Sequence, residues 1–431
     1  MSHHAPNHGT MATRFSEAHD IAESYADPVT ENDPSAPKLA VVVAGAGARG
    51  GYEAGALSVL IPHLRRIGKT PSMYIGTSAG AINATLFAAY AHLEPDEQAD
   101  RALAVWRTFK VSEVFKSPVV TAPGVALRLL GQTLHVPGVR LISLVDTAPL
   151  MHKAQTAIDW EQLGRNIEAG TTLAVVATAG DNSRTAVFVH QAETASPLPL
   201  SDDDRAIDYV STVIGPTHVV ASSAIPVVFP PVEIDGLGWY LDGGVRLNAP
   251  LKPAIAMGAD EIVAVATHPL SEPKPKWDRD APPPDVDDMV VQLIDIVLVD
   301  RMVEDARTLT KVNKLVDGAA DAQSRSGRPY EQKKMLFVSP DRRAALGELA
   351  MTVYDENIQP RGSGLGERLR REELRALGRV LAGDGPRRGD VFSYLYFDPS
   401  FIDRSIEQGR RDAQRHLDTA PRNGLVPWTT Q

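Results

Sequence analysis

The sequence predicts an α/β protein with a mostly parallel central sheet. Three observations point there. The run LAVVVA (39–44) is continuously apolar and rich in β-branched residues, as in a strand buried on both faces. It leads into the glycine-rich stretch GAGARGG (45–51) and then a helical stretch to about Arg66. The same order recurs at once, with a short strand at Ser72–Ile75, a tight turn, and an Ala- and Leu-rich helix at Ala79–Ala91. Strand, tight turn and helix in alternation open a doubly wound sheet.

Further elements follow in order. Strands are expected at TLAVVAT (172–178), TAVFVH (185–190) and EIVAVAT (261–267), with a hairpin in FPPVEIDGLGWY (229–240). KKMLFVS (333–339) adds one more strand. Helical spacing of Val290, Leu293, Ile294, Val297 and Met302 predicts a long helix over 287–316, and further helices are expected at 343–354, 364–382 and 399–418. Segment 111–150 mixes Pro, Gly and apolar residues, and reads either as a lid or channel wall or as a plain surface connection. Residues 1–37 are polar and aperiodic, which predicts a disordered tail in which His3, His4 and His8 are solvated. Prolines and charges mark 271–286 as a linker. The arginine-rich stretch 361–388 reads as a solvated helix face.

Bulk properties narrow the function. A net charge of -10 over 431 residues disfavours nucleic acid as a partner, because neutralising phosphates needs a basic face. With no cysteine, thiolate catalysis and Cys-ligated metals are excluded. The first twenty residues lack the basic and apolar regions of a signal peptide, and no apolar run is long enough to span a bilayer. The expectation is a cytoplasmic protein, with peripheral membrane contact compatible with it.

Three short motifs carry the chemistry. GTSAG (76–80), set between a strand and a helix, has the form of a nucleophile elbow that would project the Ser78 hydroxyl beside a helix N-terminus. In GAGARG (45–50), small residues would let backbone amides converge on one oxyanion, with Arg49 either adding a cation or bracing the loop. LDGG (241–244) follows the hairpin and offers Asp242 as a proton acceptor, in what the flanking glycines suggest is a mobile, accessible turn. The glycine-rich loop has a rival reading as a dinucleotide fingerprint. That reading requires an acidic residue about 20 positions on, where this chain has Arg65 and Arg66.

These residues resemble the patatin-like phospholipase family. The resemblance covers about 38–270, through GAGARGGYEAGAL, GTSAG, ASSAIPVVFPPVEIDGLGWYLDGGVRLNAPL and GADEIVAVA in that order. It implies a three-layer α/β/α fold, a catalytic domain at 38–270 and a largely helical C-terminal extension at 287–431. It also implies a Ser–Asp dyad without histidine. Carried over by motif, Ser78 is the nucleophile, Asp242 the base, and Gly45, Ala46, Gly47, Ala48, Arg49 and Gly50 the oxyanion loop. Many family members run three or four glycines in this loop. Here Ala46 and Ala48 must be right-handed or extended, since alanine tolerates positive φ poorly. The implied reaction is hydrolysis of lipid carboxylic esters through an acyl-enzyme, with no cofactor or metal and no need for calcium. A carboxylate near its ordinary pKa is a poor base for a hydroxyl; desolvation in an apolar cleft would raise its basicity. A triad using His218, His268 or His416 is the mechanistic alternative. A catalytically idle lipid- or partner-binding module on the same fold is the alternative of another class.

Overall fold

A computed structural model of the chain describes residues 37–116, 143, 145–270, 300–317, 332–359, 388–419 and 426–428. The expected tail, the 271–286 linker, the helix start at 287–299, most of 111–150 and the arginine-rich 364–382 lie outside the described residues.

Strand β1 (Leu39–Val43) runs into the glycine-rich loop, whose residues Gly47–Arg49 form one 3₁₀ turn before α1 (Gly50–Arg66). Next come β2 (Met73–Thr77), α2 (Ala79–Ala89), α3 (Pro95–Arg107), the single turn α4 (Val111–Val114), α5 (Ala148–Ala157) and α6 (Trp160–Glu168). Strands β3 (Thr172–Ala179), β4 (Thr185–His190) and β5 (Ile207–Ser211) lead to α7 (Pro216–Ser222). The hairpin β6 (Val232–Ile234) and β7 (Gly238–Asp242) follows, then α8 (Leu251–Ala256) and β8 (Glu261–Val265). Beyond these lie α9 (Asp300–Asp317), β9 (Lys334–Val338), α10 (Ala345–Ile358), α11 (Arg388–Leu395) and α12 (Pro399–Asp418).

The strands join one sheet in the order β5-β4-β3-β2-β1-β8-β9. Pairing is parallel except where β4 runs against β3, and where the β6–β7 hairpin lies against the end of β3. β1 is central, which is why its five residues are all buried and continuously apolar. Burying each Val of such a strand contributes roughly 1.5–3 kcal/mol. Its alternate side chains serve two cores. Leu39, Val41 and Val43 pack with residues of α1, α2, α3, α10, α11 and α12, whereas Ala40 and Val42 face α8 and α9. Helices on both faces of a mostly parallel sheet give the expected three-layer α/β/α arrangement.

Several features were not foreseen, helices α3 and α6 among them. Strand β5 was absent from the expectation, because IDYVS is short and largely half-exposed at the sheet edge. The C-terminal elements also belong to the same layers as the rest: β9 extends the sheet beside β8, and α12 lies along α1. There a Cβ on Gly409 would come within 2.0 Å of the Tyr52 carbonyl oxygen, so the two helices meet backbone to backbone.

Candidate active site

The C-terminal ends of β1, β2 and β3 converge on one place, the usual location for ligands in open α/β sheets. β2 ends at Thr77 and α2 starts at Ala79, leaving Ser78 alone to make the turn with φ 56° and ψ -126°. A non-glycine residue held at positive φ costs on the order of 1–3 kcal/mol and marks functional sites. The elbow closes this sharply only because its neighbours are small. A Cβ on Gly76 would sit 2.1 Å from the Gly80 carbonyl oxygen, and one on Gly80 would sit 2.3 Å from that of Ala44.

β7 runs antiparallel to the end of β3, placing Asp242 opposite Ala177. On the other side of β3, Thr77 pairs with Val176. One strand thus holds both turns in register. The Ser78 Oγ donates to Asp242 Oδ2 at 2.6 Å, and Asp242 Oδ1 accepts from the Gly244 amide at 2.7 Å. Around them, Ser222 Oγ accepts from the Ser78 amide and donates to the Val176 carbonyl, while Thr178 Oγ1 donates to the Asp242 carbonyl. Ser222 and Thr178 had no sequence signal, since side-chain-to-backbone bonds leave no periodicity.

The expectation of a mobile, accessible Asp242 turn is corrected. Asp242 is 1% exposed and fixed by backbone pairing, and a Cβ on Gly243 would come within 2.3 Å of the Val176 carbonyl oxygen. Those glycines serve close packing rather than freedom. Burial pushes the Asp242 carboxyl up from its ordinary 3.8 to about 7, against the opposing effect of the hydrogen bonds from Ser78 and Gly244. This is the desolvation that a carboxylate base requires.

The glycine-rich loop passes directly beside Ser78: a Cβ on Gly45 would lie 3.2 Å from the Ser78 Cβ. Ala46 has φ -143°, and among the described residues of this loop only Gly47 takes positive φ, at 53°. The alanines therefore avoid the left-handed region, as their Cβ atoms demand. Three loop amides are already committed. Gly45 donates to Asn248 Oδ1 at 3.0 Å, Arg49 to the Ala46 carbonyl, and Gly50 to the Gly47 carbonyl. The amides of Ala46, Gly47 and Ala48 have no acceptor among the described residues. Asn248 thus holds the start of the loop through the Gly45 amide. The Arg49 side chain turns away from Ser78 and is fully buried.

The candidate histidines have partners other than Ser78 and Asp242. His268 Nε2 faces Arg49 Nη1 at 3.2 Å, His218 Nδ1 accepts from the Gly215 amide, and His416 Nδ1 faces the Asp412 carbonyl. Among the described residues no hydrogen bond joins any of them to Ser78 or Asp242. Burial, with the cations Arg49 and Arg343 nearby, pushes His268 well below its usual value, so it is neutral. The described residues contain no group of three or more His, Asp or Glu side chains able to hold a metal ion.

Ser78 lines a small, mostly apolar pocket together with Ile82, Trp106, Phe109, Phe229, Leu395 and Phe397 among others. A second small apolar pocket shares Ile82, Phe109, Leu150 and Ser223 with the first. Among the described residues no helix is long and apolar enough to cross a membrane.

Fold and site together define an α/β protein with a serine at a strand-to-helix elbow, hydrogen-bonded to a buried carboxylate under a glycine-rich loop. Residues 41–255 match the family model described as patatin-like phospholipase, so the chain carries a patatin-like phospholipase domain. No curated protein matches the chain. Similar solved structures include VipD from Legionella pneumophila, at 14% identity over 89% of this chain and 75% of that one, with a TM-score of 0.30. Human GIVD cytosolic phospholipase A2, solved with methyl gamma-linolenyl fluorophosphonate, is 11% identical over 92% of this chain, with a TM-score of 0.40. The present chain spans 60% of that enzyme's length. The type III effector ExoU is 16% identical over 83% of this chain and 77% of its own, with a TM-score of 0.24.

Proposed function

We propose that the chain is a serine lipid acyl hydrolase of the phospholipase A or lysophospholipase type, working through a Ser78–Asp242 dyad. The observation that carries this is the 2.6 Å hydrogen bond from the Ser78 hydroxyl to a buried carboxylate, with no histidine interposed. Asp242 Oδ2 takes the Ser78 proton as Oγ attacks the ester carbonyl carbon. The tetrahedral oxyanion is held by the amides of Ala46, Gly47 and Ala48, the three in the loop left without an acceptor. As the intermediate collapses, the protonated Asp242 gives its proton to the departing alcohol or lysophospholipid oxygen. Water then attacks the acyl-Ser78 ester with Asp242 again as base, releasing the fatty acid. A base titrating near 7 is matched to neutral pH, where it is substantially ionised yet basic enough to draw the proton. The side chains around Ser78 are mostly apolar, which favours an acyl chain over a polar group there. A membrane as the source of that lipid, met peripherally, belongs to the same proposal.

A fluorophosphonate probe combined with a panel of lipid and p-nitrophenyl esters tests it. The wild type should label once per chain and turn over ester. Ser78→Ala should lose both, and Asp242→Asn should lose turnover by roughly 10³-fold or more. Wild-type protein that neither labels nor hydrolyses any ester would leave the idle binding module as the better reading.

A further inference from the structure

Arg49 lies in the glycine-rich loop, yet its charge is turned inward and is 0% exposed. A buried guanidinium is tolerated only when it is well bonded, and here each of its three nitrogens has a partner. Nε donates to Ser393 Oγ at 2.7 Å, and Nη2 donates to the Asp390 carbonyl at 2.8 Å and to Asp390 Oδ1 at 3.0 Å. Nη1 faces His268 Nε2, and the Tyr394 ring lies 4.4 Å from the guanidinium carbon. Ser393 Oγ in turn donates to the Asp390 carbonyl, tying the acceptors to one another. The loop backbone presses on the same helix, since a Cβ on Gly47 would come within 2.3 Å of the Tyr394 carbonyl oxygen. The loop is therefore held between Ser78 on one side and α11 on the other.

We propose that Asp390 and Ser393, on α11, are positioning residues for the oxyanion site and act through Arg49. The proposal rests on the hydrolase reading above. Its physical basis is that Gly47 and Ala48, whose amides face the developing oxyanion, are joined directly to Arg49 in one 3₁₀ turn. A fork-shaped cation bonded to two side chains and a carbonyl of a rigid helix fixes the turn's orientation, not only its location. Arg49 is fully buried, so recognising a lipid head group is not its task. The same helix and the residues after it supply Tyr394, Leu395 and Phe397 to the pocket wall at Ser78.

The test uses the full chain and a soluble p-nitrophenyl ester, with Asp390→Asn, Ser393→Ala, Arg49→Lys and the Arg49→Lys/Asp390→Asn double variant. Active sites are counted by exhaustive fluorophosphonate labelling, so that turnover is expressed per competent serine. Asp390→Asn should lower kcat by about 10- to 100-fold with KM within about twofold, and Ser393→Ala by a smaller factor, since donors displaced by a fraction of an ångström miss the transition state. The labelling rate should fall in step with kcat. The double variant should be no worse than the poorer single one, because both act on one unit. A merely structural role would instead lower the number of labelled chains and leave kcat per site intact, and that result overturns the proposal. Unchanged kcat per site in Ser393→Ala, which removes a single acceptor from a folded helix, overturns it equally. Turnover that survives Ser78→Ala would instead sink the hydrolase reading, a different and separately visible failure.

Discussion

Replacing Asp242 by Asn should change how stability depends on pH, independently of any substrate. In the folded chain burial holds this carboxyl at about 7, against 3.8 for an ordinary one. The folded state therefore binds the proton more tightly than the unfolded state does. Below about pH 4 both states are protonated and Asp242 contributes nothing. Between 4 and 7 the unfolded chain ionises first, and stability falls by about 1.4 kcal/mol per pH unit. Above 7 the cost is fully present, and a gap of about 3 pH units amounts to about 4 kcal/mol. About 3 kcal/mol of this falls between pH 5 and pH 8.5. Asparagine keeps the shape and cannot ionise: Oδ1 still accepts from the Gly244 amide, and Nδ2 can donate to Ser78 Oγ. Urea unfolding of both proteins at pH 5 and pH 8.5 measures the effect. The advantage of Asp242→Asn over wild type should grow by about 3 kcal/mol at the higher pH, other titrations cancelling between the two proteins. Parallel pH curves would mean that the carboxyl ionises at its ordinary value, and the case for a strongly basic Asp242 would collapse.

Four further outcomes are expected. On a soluble ester, kcat/KM should rise about tenfold per pH unit and level off near 7, as the Asp242 carboxyl loses its proton; a profile flat from pH 5 to 8 would contradict it. Gly47→Ala should destabilise the chain by about 1–3 kcal/mol and depress kcat, because φ is 53° and the new methyl group meets the Tyr394 carbonyl; denaturation and kinetics check the two effects separately. His218→Ala and His268→Gln should each keep most of the activity and the same pH profile, glutamine retaining an acceptor for Arg49; a thousandfold loss in either would restore the histidine triad. Hydrolysis should be unaffected by a calcium chelator, and activity recovered only on adding back a metal would show that an ion takes part.

Much of the site was legible because its parts are local. A buried apolar run, a small-residue turn and a helix within some fifteen residues each leave a pattern, so β1, the GTSAG elbow and the hairpin before Asp242 could be read directly. What failed to show was whatever depends on tertiary context. The LDGG glycines look the same whether they loosen a turn or admit a neighbouring backbone, and only the pairing of β7 with β3 decides for the second. β5 has too few buried residues to show a period. Ser222 and Thr178 act through single bonds to backbone atoms. The Arg49 partners Asp390 and Ser393 lie 341 and 344 residues further on, beyond the reach of any spacing rule.

That last separation has a consequence for synthesis. A ribosome adds about 5–20 residues per second. A delay of roughly 17–70 s thus passes between the appearance of Arg49 and that of Asp390, 341 positions later. Throughout that interval the nascent chain holds a cation meant for the interior without Asp390, the carboxylate that pairs with it there, and helix α1 lacks the late helix that covers it. The N-terminal strands can form early, but the final closure waits for the last tenth of the chain.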